Sequence, residues 1–386
     1  MNITDVDDKT IRDSKALGKS LKEFTEFYTE EFFKDRDALN IIPPDKYTKA
    51  TDYIDEMVKI IEQLIDKGHA YRSPDGSVYF DIHTDPNYGK LSGFNIATLK
   101  RNADNRLKVD EYEKENAQDF ALWKAWDEND EDVFWETSLG KGRPGWHIEC
   151  SAMSIAELGE NIDIHTGGVD LIFPHHENEI AQSECATGKS FVKYWMHNEH
   201  LMVDGKKMAK SAGNFYTLRD LIDKGINPIA FRYWLYNAHY RTKTNFTIES
   251  VNGAQTALEK LYEIFLSLPS GDGSVVKEYK DELMECMDDD LSTPRALALM
   301  WKLVHDAKVT DADRRATLIA FDQIFGFGLD KLEKDIIPEN IVELVKEREI
   351  ARVNKDWAKS DEIRDKITNL GYEVKDSDTG YKISKI

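Results

Sequence analysis

His175 and Glu179 stand four residues apart, so on a helix they share one face. Cys150 lies upstream in the same span, which runs from Gly145 to Gly213. A thiolate, an imidazole and a carboxylate are all zinc ligands, and a catalytic zinc commonly takes three protein groups and keeps one position open. His176 with Glu179, three apart, is a geometric rival. A plainer alternative is that Glu177 and Glu179 complement a helix dipole while the histidines face water. Farther on, Lys207-Met208-Ala209-Lys210-Ser211 sets two lysines on one loop. Such lysines can swing onto phosphates and stabilise charge that develops in phosphoryl or adenylyl transfer. An ordinary solvated loop has the same composition. Gly167-Gly168 lets backbone approach a ligand closely, or marks an isolated turn, and Asp170 can accept from a ribose hydroxyl. Trp146 faces either substrate or core.

These residues need elements to hold them. The periodicity predicts a helix from Cys150 to Leu158, a strand over Ile162–His165, a helix from Pro174 to about Ala186, and extended chain from Trp195 to a turn at Asp204-Gly205. Strands, helices and glycines at strand ends suggest a parallel α/β sheet with ligands at the strands' carboxyl ends. Upstream, Thr4 or Asp5 caps a first helix through Ile11, Leu17, Leu21, Phe24 and Tyr28. A second helix carries Ile54, Met57, Ile61, Leu64 and Ile65 and ends at Gly68. Ser77–Ile82 reads as a strand that pairs back with Ala70–Arg72, and Asp119 to Lys124 is an apolar island in an irregular region. Gly140 to Gly145 reads as a flexible basic boundary. Beyond Tyr216 the pattern is helical, with Thr293-Pro294 opening one helix and a stretch from Pro338 to about Leu370 forming another. A small hairpin closes the chain.

Composition sets outer bounds. A chain of 386 residues holds two to four domains. No apolar run approaches the ~20 residues of a membrane-spanning helix, and Met1-Asn2-Ile3-Thr4-Asp5 lacks the regions of a signal peptide. Cys150, Cys185 and Cys286 make no disulfide framework, which suits a reducing cytoplasm; Cys185 and Cys286 read as packing residues. A net charge of −21 argues against broad attraction to nucleic acid, so any such surface must be a local patch.

Taken together the motifs resemble those of cysteinyl-tRNA synthetases, class I aminoacyl-tRNA synthetases. The landmarks are Gly142-Arg143-Pro144-Gly145-Trp146-His147-Ile148-Glu149-Cys150-Ser151, the Phe173–Glu179 run, and Lys207–Ser211, which is similar to the family's KMSKS loop with alanine at its middle serine. The resemblance implies that Cys150, His175 and Glu179 hold one zinc, that Lys207 and Lys210 act on ATP, supplied with magnesium, and that Gly167, Gly168, Asp170 and Trp146 line the adenylate pocket. It implies an α/β fold: a Rossmann-like catalytic domain from residues 1–8 and 139–214, a connective insertion over 9–138, a stem-contact region and helical bundle over 215–335, and a small α+β anticodon-binding domain over 336–386. There Arg352, Trp357, Asp361 and Asp376 match positions expected to meet the anticodon, although a hairpin-core role for Trp357 is also open. The implied protein is a cytoplasmic monomer that takes cysteine, ATP and tRNA(Cys), with no editing domain and no membrane contact.

The family's first half of the sheet, with its HIGH-type signature and a further zinc-ligating cysteine, has no counterpart in these residues, which start at a segment resembling the one just after it. Three readings follow: a cysteine–tRNA ligase whose sequence is incomplete as written, a zinc-dependent cysteine:amino-sugar ligase, and a non-catalytic tRNA-binding remnant. Decay would not be expected to spare the remaining motifs, which favours the first.

Overall fold

The computed structural model describes residues 1–94, 119–208, 213–333, 337–377 and 380–385. Strand β1 (Asn2–Ile3) leads into α1 (Asp8–Ala16), where Asp7 and Thr10 form a reciprocal capping box. The single helix expected here is two. The chain turns at Gly18, with φ +63°, and Ser20 and Glu23 cap α2 (Leu21–Ala38) as a second box. Strand β2 (Thr48–Lys49) pairs parallel with β1, and α3 (Ile54–Asp66) follows as expected, with its apolar face buried.

Five strands form an antiparallel sheet: β3 (Ala70–Arg72), β4 (Val78–Phe80), β5 (Phe120–Ala125), β6 (Trp135–Thr137) and β7 (Gly140–Pro144), in the order β3-β4-β5-β7-β6. The apolar island is thus its central strand. The supposed flexible boundary at Gly140–Gly145 is instead β7, paired on both sides. Gly142 and the following Gly145 serve close approach: a Cβ on Gly142 would come within 2.2 Å of the Lys124 carbonyl, and one on Gly145 within 2.0 Å of the Ala121 carbonyl.

Gly145 also begins α4 (Trp146–Leu158), four residues before the expected start. Next come β8 (Ile162–Gly168), α5 (Glu177–Thr187) and β9 (Val192–Asn198), with β8 and β9 parallel and Gly167 opposite His197. Helix α5 starts three residues later than expected, because Ile172–His176 forms a wide turn with Phe173 extended at φ −137°, ψ 131°. The extended run after Trp195 is broken: β10 (Leu201–Val203) and β11 (Lys206–Lys207) form a hairpin on Asp204-Gly205, both at positive φ. Helices α6 (Leu218–Asp223) and α7 (Pro228–Leu235) precede β12 (Thr244–Phe246), which pairs parallel with β10. Among the described residues parallel pairing occurs in three pairs, β1 with β2, β8 with β9 and β10 with β12, while the largest sheet described is antiparallel. One core joins α3, α4, α5 and the sheet through Met57, Ile61, Phe80, Trp123, Ile148 and Ala181.

The rest is helical: α8 (Ile248–Ser267), α9 (Lys277–Asp288), α10 (Thr293–His305) and α11 (Asp311–Phe325). Leu297, Met300 and Val304 of α10 are buried, and Trp301 is half-buried. The helix expected from Pro338 to Leu370 is two, α12 (Glu339–Val353) and α13 (Trp357–Asn369), separated at Lys355, with φ +58°. They share a core with the terminal hairpin of β13 (Tyr372–Ser377) and β14 (Gly380–Lys385), formed by Ile341, Val345, Ile363, Ile367 and Val374. The chain divides into two compact units, Met1–Leu258 with Asp281–Trp301, and Glu259–Lys280 with Lys302–Ile386. Among the described residues no helix is long and apolar enough to cross a membrane.

Candidate metal and adenylate site

The site assembles where α4 and α5 lie side by side. Gln182 donates to the Ser151 hydroxyl at 2.7 Å and to the His147 carbonyl, and Ser183 donates to Ser151 at 2.9 Å. This places Cys150 of α4 beside Glu179 of α5 and His175 of the preceding turn, all buried, with candidate ligand atoms within 4.8 Å of one another. His176 belongs to a second group, with His165 and Glu179, within the same limit. It makes a weaker rival: its Nε2 is 3.9 Å from Glu179 Oε1, whereas His175 Nε2 is 3.0 Å away. The other nitrogen of His176 is engaged by His197 at 2.8 Å.

Glu179 is the most telling group. It is 0% exposed, and despite the short approach of His175 neither carboxylate oxygen receives an aligned hydrogen bond among the described residues. A buried carboxylate without a hydrogen-bond partner is costly unless something cationic faces it. Burial works to raise its pKa, but His175 and His165 outweigh burial and hold it well below the usual range. Burial pushes the Cys150 thiol well up, with the charges of Glu179 and Glu149 adding to it, while Asn2 donates to its sulfur at 3.1 Å. Burial also drives His147 well below its ordinary value and His176 down to about 3, so both stay neutral. Sulfur, imidazole nitrogen and carboxylate oxygen converging around unmet lone pairs is a donor set that fits zinc.

Trp146 is half-buried with its ring centroid 4.1 Å from that of His175, so it walls the site. Gly167 makes its close approach to a side chain of the site: a Cβ there would sit 2.6 Å from the His176 ring. Asp170 is exposed just beyond Gly168. Lys207 is exposed on β11, and Lys210 lies outside the described residues. Met208 lines an apolar cavity of about 170 Å³ with Leu201, Leu221, Phe231 and Phe246.

The sequence is that of a known kind of protein. Residues 1–256 match the family described as tRNA synthetases class I (C) catalytic domain, and residues 335–382 match the cysteinyl-tRNA ligase anticodon binding domain. The cysteine–tRNA ligase of Brachyspira hyodysenteriae is 45% identical over 405 residues, spanning 99% of this chain and 85% of the relative. The chain belongs to the cysteine–tRNA ligase family. The ligase of Chlamydia muridarum is 44% identical over 100% of this chain and 86% of its own length. The fold is that of class I synthetases: methionyl-tRNA synthetase of Mycobacterium tuberculosis, solved with methionyl-adenylate, superposes with a TM-score of 0.54 at 14% identity, over 83% of this chain and 80% of that one.

In the matched anticodon domain, Trp357 is 58% exposed, not a hairpin-core residue. Asp361 follows four residues later on α13, exposed, and Arg352 is half-buried near the end of α12. Asp376 lies in β13, paired with Tyr381, and its side chain is outside the described residues. Sequence reasoning missed His147, whose Nδ1 meets that of His175 at 2.8 Å. The signal was present: His147 and Cys150 are three apart on one helix. No spacing links Asn2 to Cys150, 148 residues away.

Proposed function

We propose that this ligase activates cysteine with ATP and transfers it to tRNA(Cys). The cysteine carboxylate attacks the α-phosphate of ATP, giving cysteinyl-adenylate and pyrophosphate, and the terminal adenosine hydroxyl of the tRNA then takes the cysteinyl group. Cys150, His175 and Glu179 would hold one zinc, with His147 orienting the His175 ring. Bound there, the ion supplies a soft acid that prefers the substrate's thiolate to the hydroxyl of serine. A site built on one such polar contact discriminates by about 10⁴ or more, so no editing domain is needed. Trp146 excludes water from one side, while Gly167, Gly168 and Asp170 border the adenylate. Lys207 and Lys210 neutralise phosphate charge on ATP carried with magnesium.

We further assign residues 1–8 and 139–214 to the catalytic domain, 9–138 to its insertion, 215–335 to the stem-contact bundle and 336–386 to the anticodon domain, where Arg352, Trp357, Asp361 and Asp376 meet the tRNA. The protein works as a cytoplasmic monomer. The observation that carries this reading is the convergence of thiol, imidazole and unmet carboxylate in a chain of this family. Cysteine-dependent ATP–pyrophosphate exchange, zinc stoichiometry and tRNA charging, measured on the protein as its cell makes it, test it. Exchange with one zinc per chain is expected. A metal-free protein that still prefers cysteine to serine would overturn the role of the ion, and tRNA binding without exchange would overturn catalysis.

A further inference from the structure

His175 to Glu179 are five consecutive buried residues, and only the outer two belong to the favoured cation site. Glu177, 1% exposed, turns the other way. Its carboxylate accepts from three backbone amides of one loop: Gly89 at 2.9 Å, Leu91 at 3.2 Å and Ser92 at 2.9 Å. Neighbouring contacts follow the same path. Tyr88 donates to Asn178 at 2.5 Å, Lys90 reaches Glu184, and the Phe94 ring stacks on Phe173 at 4.9 Å. The loop is shaped for this: Gly89 sits at φ +96°, where a Cβ would strike the Phe94 carbonyl.

Among the described residues neither carboxylate oxygen of Glu179 receives an aligned hydrogen bond, so the first turn of α5 must set the direction of its side chain. Two residues on a helix are about 200° apart, so a clamp at Glu177 fixes the rotation that aims Glu179 at Cys150. We propose that Glu177 is a positioning residue for the zinc-binding carboxylate, acting through its grip on the Tyr88–Ser92 loop. The proposal rests on the reading of the cation site given above. Outer partners of metal ligands characteristically govern affinity by about 10- to 100-fold.

The test is zinc affinity, measured by chelator competition on full-length protein, for wild type, Glu177→Gln and the control Lys34→Ala. Glutamine keeps the shape but turns its carboxamide NH2, a donor, toward at least one backbone N–H. Glu177→Gln should weaken zinc about 10- to 100-fold and raise the cysteine KM while the ATP KM holds; Lys34→Ala, which removes an exposed ion pair within α2, should match wild type. Should Glu177→Gln prove poorly folded, Tyr88→Phe, which removes one hydroxyl from the same clamp, should show a smaller shift in the same direction. Loss of thermal stability with unchanged zinc affinity in both clamp variants would overturn the proposal and leave the ligand assignment standing. A wild type that binds no zinc would overturn the ligand assignment first, and the proposal with it.

Discussion

Glu179 can be reached from either histidine before it, and the distances rank them: 3.0 Å for His175 against 3.9 Å for His176. His175→Ala should therefore abolish stoichiometric zinc, while His176→Ala should retain it with affinity reduced about 10- to 100-fold at most. Metal analysis of the purified variants decides, and the reverse pattern would refute the assignment. Gly167→Ala probes the same wall by volume. Its methyl would press on a His176 ring whose Nδ1 is held by His197, so there is little room to yield. Overpacking of this kind costs about 1–3 kcal/mol, to be read from denaturant unfolding. The ligand candidates were legible because cysteine, histidine and glutamate advertise their chemistry by type, and i, i+4 spacing puts two on one face. The amides that hold Glu177 were not legible, since backbone donors 85 to 88 residues away carry no side-chain signature.

At the scale of elements, α1 is tied to the sheet by charge. Asp8 pairs with Lys124 of β5 at 2.8 Å and with Arg143 of β7, which also meets Asp130 at 2.8 Å. Burial acts to raise the Asp8 pKa, but Lys124 and Arg143 prevail and hold it at about 2, below its ordinary 3.8. A depressed carboxylate stabilises the fold above its unfolded value and loses that contribution as pH falls through the folded one. Because the Asp8 side chain is 43% exposed, screening leaves about 1 kcal/mol. Asp8→Asn should thus be less stable by about that amount near pH 7, with the gap closing between about pH 4 and pH 2 in an acid-unfolding series. Elements with a strong apolar period, such as α3, were plain in the sequence. Breaks inside long helical runs were harder: Ser20 with Glu23 is a written capping signal, but Lys355 takes positive φ with no glycine to announce it. At β7 and the α4 cap, Gly140, Gly142 and Gly145 imitate a linker, because glycine signals both freedom and close packing.

On the scale of the molecule, a chain of net charge −21 must bind a polyanion through local chemistry. Trp357 and Val353, 58% and 83% exposed, stand at the α12–α13 corner close in sequence to Arg352. Stacking on an unpaired base is worth about 1–3 kcal/mol, so Trp357→Ala should weaken tRNA binding by that much. ATP–pyrophosphate exchange should be unchanged, and a matching fall in exchange would show that the residue supports the fold instead. Cys150, Cys185 and Cys286 bear on how such measurements are made. Burial raises the thiol pKa of Cys185, to about 12, and that of Cys286, while Cys150 and Cys286 are almost inaccessible. Alkylating reagents attack the thiolate. A fluorophore maleimide at neutral pH should therefore label one engineered surface cysteine with little background, allowing RNA association to be followed optically without first stripping the native thiols.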